Sequence, residues 1–156
     1  MTSSGTPVIS ETEEFTASRT IHLLRGAAGL IERAVARALE PHGLTSAQFS
    51  VLQVMRDAEE QKLGCSELGK RLAGPSPDVT RLLDRLESGG LVSRERDLQD
   101  RRVVHTRISE KGRALLDQAL PAVRDAEARA LASVSEDDRQ RLASILLDVQ
   151  RNLPGN

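Results

Sequence analysis

Apolar residues recur at steps of three and four near the start of the chain. Ile21, Leu24, Ala28, Ile31, Val35 and Leu39 share one face, which predicts a long amphipathic helix from Ala17 to about Glu40, stopped by Pro41 and Gly43. Thr45-x-x-Gln48 is a capping box, and Phe49, Leu52, Val54 and Met55 give the helix it opens an apolar side to about Asp57. Residues 59–65 read as a loop with a short strand near Leu63. Ser66 is the expected cap of a third, short helix through Leu72. Gly74-Pro75 turns the chain, and Ser76 with Pro77 at the first helical position predicts a fourth helix whose buried face is Val79, Leu82, Leu83 and Leu86. Gly89-Gly90 ends it.

The period then changes to two. Leu91–Arg96 and Val103–Ile108 alternate as strands around a charged tip, Asp97 to Arg102, and predict a β-hairpin with a basic finger. Ser109 caps a fifth helix to about Ala132, with Leu116, Leu120, Val123 and Ala130 on its apolar side and a bend at Pro121. Ser135-x-x-Asp138 opens a sixth with Leu142, Ile145, Leu146 and Val149 facing inward. The terminal helices carry more apolar face than a small winged domain can cover, so a second copy of the chain is the simplest cover and a homodimer follows.

Composition narrows the function classes. The 156 residues suffice for one ordinary core. No apolar run reaches the ~18 residues needed to span a bilayer, so no membrane role is expected. The first 16 residues, rich in Thr, Ser, Gly and Glu, are expected to be a disordered arm rather than a signal peptide. One cysteine, Cys65, fits a reducing cytoplasm. The net charge is −1, but residues 66–107 carry nine Lys/Arg against seven acids, a local excess of +2 that leaves −3 elsewhere. Phe15 and Phe49 are the only aromatics. Binders of single strands stack bases on aromatic side chains, so duplex DNA is the preferred nucleic-acid partner.

Two motifs stand in tandem. The first is Val79-Thr80-Arg81-Leu82-Leu83-Asp84-Arg85-Leu86-Glu87-x-x-Gly90-Leu91-Val92. The second is Asp97-x-x-Asp100-Arg101-Arg102 followed by Ile108-Ser109-x-x-Gly112. At this spacing, from about Ala17 to Leu153, the chain resembles the multiple-antibiotic-resistance regulator (MarR) family. The fold expected is mainly α with a small β-wing: a winged helix-turn-helix with N- and C-terminal dimerisation helices. Residues 1–16 would be the arm and 17–153 a single domain, with 17–44 and 109–153 dimerising and 45–108 forming the winged helix-turn-helix. The chain departs from the family at Gln99, where an arginine is common, and at Pro75 and Pro77, which stiffen the turn before the recognition helix.

Candidate roles follow. Arg81 and Arg85 lie one turn apart on the recognition helix, where Thr80 and Ser76 also stand, so both can face a major groove; the alternative is a solvated polar face. Asp78 suits the helix start. On the wing, Arg102 suits a narrow minor groove, with Asp100 orienting it and Arg101 beside it; the alternative is a surface ion pair of little energetic weight. Lys70, Arg94, Arg96 and Arg107 either neutralise phosphates or simply cover helix and strand surface. Cys65 is a small core residue or a redox sensor. His22, His42 and His105 are scattered and lack metal-ligand spacing, and no catalytic constellation or cofactor motif appears, so neither an enzyme nor a metalloprotein is expected. The resemblance implies a homodimeric, sequence-specific regulator, a repressor of a palindromic operator, relieved by a small aromatic or anionic effector. His22, Arg25, Phe49 and Gln53 are candidates, from helix position, to line the effector cleft. The rival is a module that has lost DNA binding and sequesters a protein partner.

Overall fold

The computed structural model describes residues 16–58, 64–72, 78–96 and 104–153. Among the described residues six α-helices and one two-stranded antiparallel sheet follow one another as α1 (Ala17–Leu39), α2 (Ser46–Asp57), α3 (Cys65–Arg71), α4 (Val79–Ser88), β1 (Val92–Arg96), β2 (Val104–Ile108), α5 (Glu110–Ala130) and α6 (Glu136–Arg151). A single 3-10 turn, Glu40–His42, sits between α1 and α2. The chain divides into two units, residues 1–30 and 31–156. The first is described from residue 16 and is helical from Ala17 on; the second holds the remaining elements. This is the mainly helical fold with a small wing that the sequence predicts.

Local chemistry sets most of the boundaries. The Thr45 capping box is complete: the hydroxyl accepts from the Gln48 amide at 3.2 Å, and the Gln48 side chain accepts from the Thr45 amide at 3.0 Å. Ser109 and Ser135 cap α5 and α6 as expected. Two expected caps are displaced. Helix α3 starts at Cys65 with Gly64 as its N-cap, so Ser66 lies inside the helix; starting there places Leu68 in the core at 1% exposure. Helix α4 is capped by Asp78, whose carboxylate accepts from the Arg81 amide at 3.2 Å, and not by Ser76. Aspartate caps as well as serine and adds negative charge at the positive end of the helix dipole. Ser76, Pro77 and the strand expected near Leu63 lie outside the described residues. Helix α5 continues through Pro121.

The core belongs to the second unit. Phe49, Val51, Leu52 and Met55 of α2, Leu68 of α3, Val79, Leu83 and Leu86 of α4, Val92 and Ile108 of the hairpin, and Leu116, Ala119 and Val123 of α5 form one buried cluster. In α5 the buried line extends to Ala126, whereas Ala130, expected on that face, is exposed. Helix α6 buries none of its residues, contrary to expectation: Ile145 is 58% and Leu142 40% exposed, and Leu146 and Val149 are half-buried. An apolar stripe shows that a face favours cover; it does not say that the same chain supplies it.

Helix α4, the hairpin and α5 converge at one junction. Gly90 is left-handed (φ 71°), and the amides of Gly90 and Leu91 bond back to the carbonyls of Glu87 and Leu86, each at 2.8 Å. This is a Schellman stop, with Leu86 and Leu91 both in the core. The Ser109 hydroxyl donates to the Gly90 carbonyl at 2.7 Å and accepts from the Gly112 amide at 3.0 Å, while Lys111 Nζ donates to the Gly89 carbonyl at 2.8 Å. The Ser109 amide donates to the Leu91 carbonyl at 3.0 Å. Gly112 rests against that same carbonyl, and a β-carbon at this position would collide with it and with the Ile108 side chain. The Ile108-Ser109-x-x-Gly112 motif is therefore a joint. Gly112→Ala is expected to lower stability by about 1–3 kcal/mol, the usual cost of forcing a methyl into a packed site. The urea midpoint should fall at unchanged m-value; an unaltered midpoint would mean that α5 can withdraw at no cost.

Candidate nucleic-acid interface

Helix α4 sorts its residues by face. Val79, Leu83 and Leu86 are buried. At about 100° per residue, Thr80, Asp84 and Glu87 form a second stripe, and Arg81 and Arg85 a third, roughly a third of a turn further round. Arg81 and Arg85 are exposed, and neither enters an ion pair among the described residues. Two like charges one turn apart cost a helix a few tenths of a kcal/mol. An uncompensated pair of this kind presents an array of donors suited to phosphate or to guanine edges.

The wing strands pair in the register Val92↔Ile108, Ser93↔Arg107, Arg94↔Thr106, Glu95↔His105 and Arg96↔Val104. Val92, Ile108 and Thr106 are buried, so the core-facing side of the hairpin includes Arg94. The sequence alone suggests that Arg94 neutralises a phosphate or covers the strand surface. Its guanidinium instead turns onto α4: NH1 lies 2.7 Å from Asp84 Oδ1, NH2 donates to the Thr80 carbonyl at 3.3 Å, and Nε stands 3.7 Å from Glu87 Oε2. Sequence periodicity does not reveal this contact, because it joins a strand to a helix outside any local repeat.

Lys70 at the end of α3, and Arg96 and Arg107 on the hairpin, are exposed cations. Asp100, Arg101 and Arg102 at the wing tip lie outside the described residues, as does Ser76. Thr80 is exposed on α4. Cys65 is the first residue of α3. Of the candidates for an effector cleft, His22 and Arg25 stand exposed on α1 in the first unit, and Gln53 is half-buried on α2. Phe49 is 3% exposed in the core of the second unit, leaving almost no surface to offer a ligand. Among the described residues no group of three or more His, Cys, Asp and Glu side chains is placed to hold a metal, and no helix is long and apolar enough to cross a membrane.

Comparison with known proteins bears on this geometry. Residues 34–119 match the family model described as transcriptional regulator SarA/Rot. The chain is 34% identical over 105 residues to the HTH-type transcriptional regulator YkoM of Bacillus subtilis, itself uncharacterized; the match covers 67% of each protein. It is 29% identical over 111 residues to the HTH-type transcriptional repressor YetL of the same organism, covering 71% of this chain and 66% of the relative. The matched region thus spans about two thirds of the length of these relatives. Among solved structures, the fold is similar to a mutant MarR from E. coli complexed with operator DNA, with a TM-score of 0.75 and 30% identity, covering 85% of this chain and 92% of that one.

The cap on α4 sets where its exposed face begins. Asp78→Ala is expected to cost about 1 kcal/mol in chemical unfolding, and Asp78→Asn to recover most of it. Equal destabilisation in the two variants would assign the effect to charge rather than to the cap bond.

Proposed function

Because the chain belongs to the MarR family of winged helix-turn-helix, DNA-binding transcriptional regulators, we propose that it acts as a homodimeric repressor of a palindromic operator, relieved by a small aromatic or anionic effector. The observation that carries this reading is the Arg81–Arg85 face of α4, which has no ion-pair partner among the described residues and is held outward by the burial of Leu83 and Leu86. In this reading Arg81 and Arg85 enter the major groove with Thr80 and Ser76 near the helix start. Lys70, Arg96 and Arg107 supply phosphate neutralisation. Arg101 and Arg102, oriented by Asp100, occupy the adjacent minor groove; a long cation suits its negative potential. Arg94 is left out of the phosphate contacts, since its charge is already engaged.

Exposed apolar side chains support the second copy. Ile21, Leu23, Leu30 and Ile31 on α1, Leu142, Ile145 and Leu147 on α6, and Leu153 just beyond it are each at least 38% exposed. At roughly 25 cal/mol per Å² of apolar surface, covering such faces is a strong drive to associate. Two symmetric reading heads would then meet half-sites about 10 base pairs apart. An effector acts only by preferring one separation of the heads over another. His22 and Arg25 of the first unit remain candidates to touch it.

Three substitutions test this reading. Ile145→Glu is expected to shift the chain to monomer in sedimentation and to weaken operator binding sharply; a monomer that still binds tightly would rule out the two-headed arrangement. Arg81→Ala is expected to relax base preference and cost about 1–3 kcal/mol on the selected operator. Arg102→Ala should weaken all duplexes and flatten the salt dependence, by about 0.9 in slope for each phosphate no longer neutralised. A wild-type chain that shifts no duplex, including those recovered by selection, would leave the protein-sequestration reading in place.

A further inference from the structure

We propose that Arg94 is a positioning residue for DNA recognition: it locks the rotation of α4 against the wing by gripping the acidic stripe of that helix. The inference rests on the DNA-binding reading above and assigns a role within it.

Three acceptors on α4 converge on one guanidinium. Thr80, Asp84 and Glu87 stand at i, i+4 and i+7, a single stripe over two turns of helix. Arg94 hydrogen-bonds the first through its carbonyl, pairs with the second at 2.7 Å and lies within ionic reach of the third. Its side chain is only 21% exposed, so the planar fork is held among these partners and is poorly placed to reach a phosphate. A single exposed pair would carry little weight. A guanidinium whose two terminal nitrogens meet the Thr80 carbonyl and Asp84 on one face, with Glu87 within ionic reach of Nε, is different, because rotating α4 disturbs these contacts together. The apolar face of α4 already resists large rotations. The residual freedom is a small roll about the helix axis, which moves Arg81 and Arg85 across a groove.

Charge acts in the same direction. Asp84 and Glu87 are the acids of the α4 helix, and both would repel a phosphate backbone. Arg94 draws them to the wing side, leaving Arg81 and Arg85 as the uncompensated charge on the other exposed stripe. One strand residue thus separates the acidic and basic faces of the helix.

The experiment is a salt titration of binding by the full chain to its selected operator and to an unrelated duplex. It compares wild type with Arg94→Ala, Arg94→Lys, Asp84→Ala and the Arg94→Ala/Asp84→Ala pair. Slipped register forfeits at least one base contact, so operator affinity is expected to fall roughly tenfold or more in both Arg94 variants. The unrelated duplex should weaken much less, and the slope of log Kd against log salt should stay at the wild-type value. The double variant should bind no worse than Arg94→Ala, since the removed partner no longer has a role. If Arg94→Ala folds poorly, Arg94→Lys carries the test: it keeps the charge and stem but not the fork. The proposal is overturned if the slope drops by about 0.9, the signature of one phosphate fewer in the interface. It is equally overturned if Arg94→Lys binds like wild type, if both duplexes weaken by the same factor, or if the effects of the two single substitutions simply add. A wild-type chain that binds neither duplex defeats the DNA-binding reading as well; one that binds while the slope falls defeats only this assignment.

Discussion

The backbone of Leu91 meets three elements within a few ångströms. Its amide closes the end of α4, its carbonyl accepts from Ser109, and the bare α-carbon of Gly112 rests against the same peptide group. A helix end, a strand start and a second helix start are therefore joined through main-chain atoms, which have no rotamers to give. A two-stranded hairpin is marginal by itself in water. Here it is rooted in the core through Val92 and Ile108 and tied at its base by Ser109 and Lys111. Remove the junction and the two strands lose their fixed origin on the body.

The core and the cations then divide the work. Leu83 and Leu86 decide which side of α4 is hidden, and Arg94 decides how the exposed remainder is split between acid and base. Hydrophobic burial is strong but non-directional. It brings the helix to the body without distinguishing small rolls about its axis. Directional contacts with fixed geometry supply that discrimination. Thr106, paired with Arg94 across the hairpin, is buried at 2% exposure, and its hydroxyl finds no hydrogen-bond partner among the described residues. Such a group is a stability cost beside a feature that functions through orientation.

What can be read directly from the chain is local. The Thr45 box, the Ser109 and Ser135 caps and the alternation of both strands are encoded within a few residues of where they act, and each appears as expected. The displaced starts of α3 and α4 show the limit. Ser66 and Ser76 are good caps, but so are Gly64 and Asp78, and the choice between them is made by where Leu68 and Val79 must lie in the core. Phe49 falls on the expected helix but in a sealed interior instead of a cleft, because periodicity separates two faces without telling a ligand pocket from a core. The outward Leu142 and Ile145 follow from the same gap: a stripe encodes a need for cover and not its source. Arg94 is legible in the sequence only as a cation on a strand, since its partners are separated from it along the chain and joined by the fold.

A head braced at both the Leu91 junction and Arg94 is stiff where it would meet its target. Packed interfaces of this kind switch between discrete arrangements rather than deforming by degrees. In the repressor reading proposed above, a surface braced in this way leaves an effector little to reshape. Control would then come as displacement of the whole braced body, and substitutions that alter the response would gather away from the surface that reads.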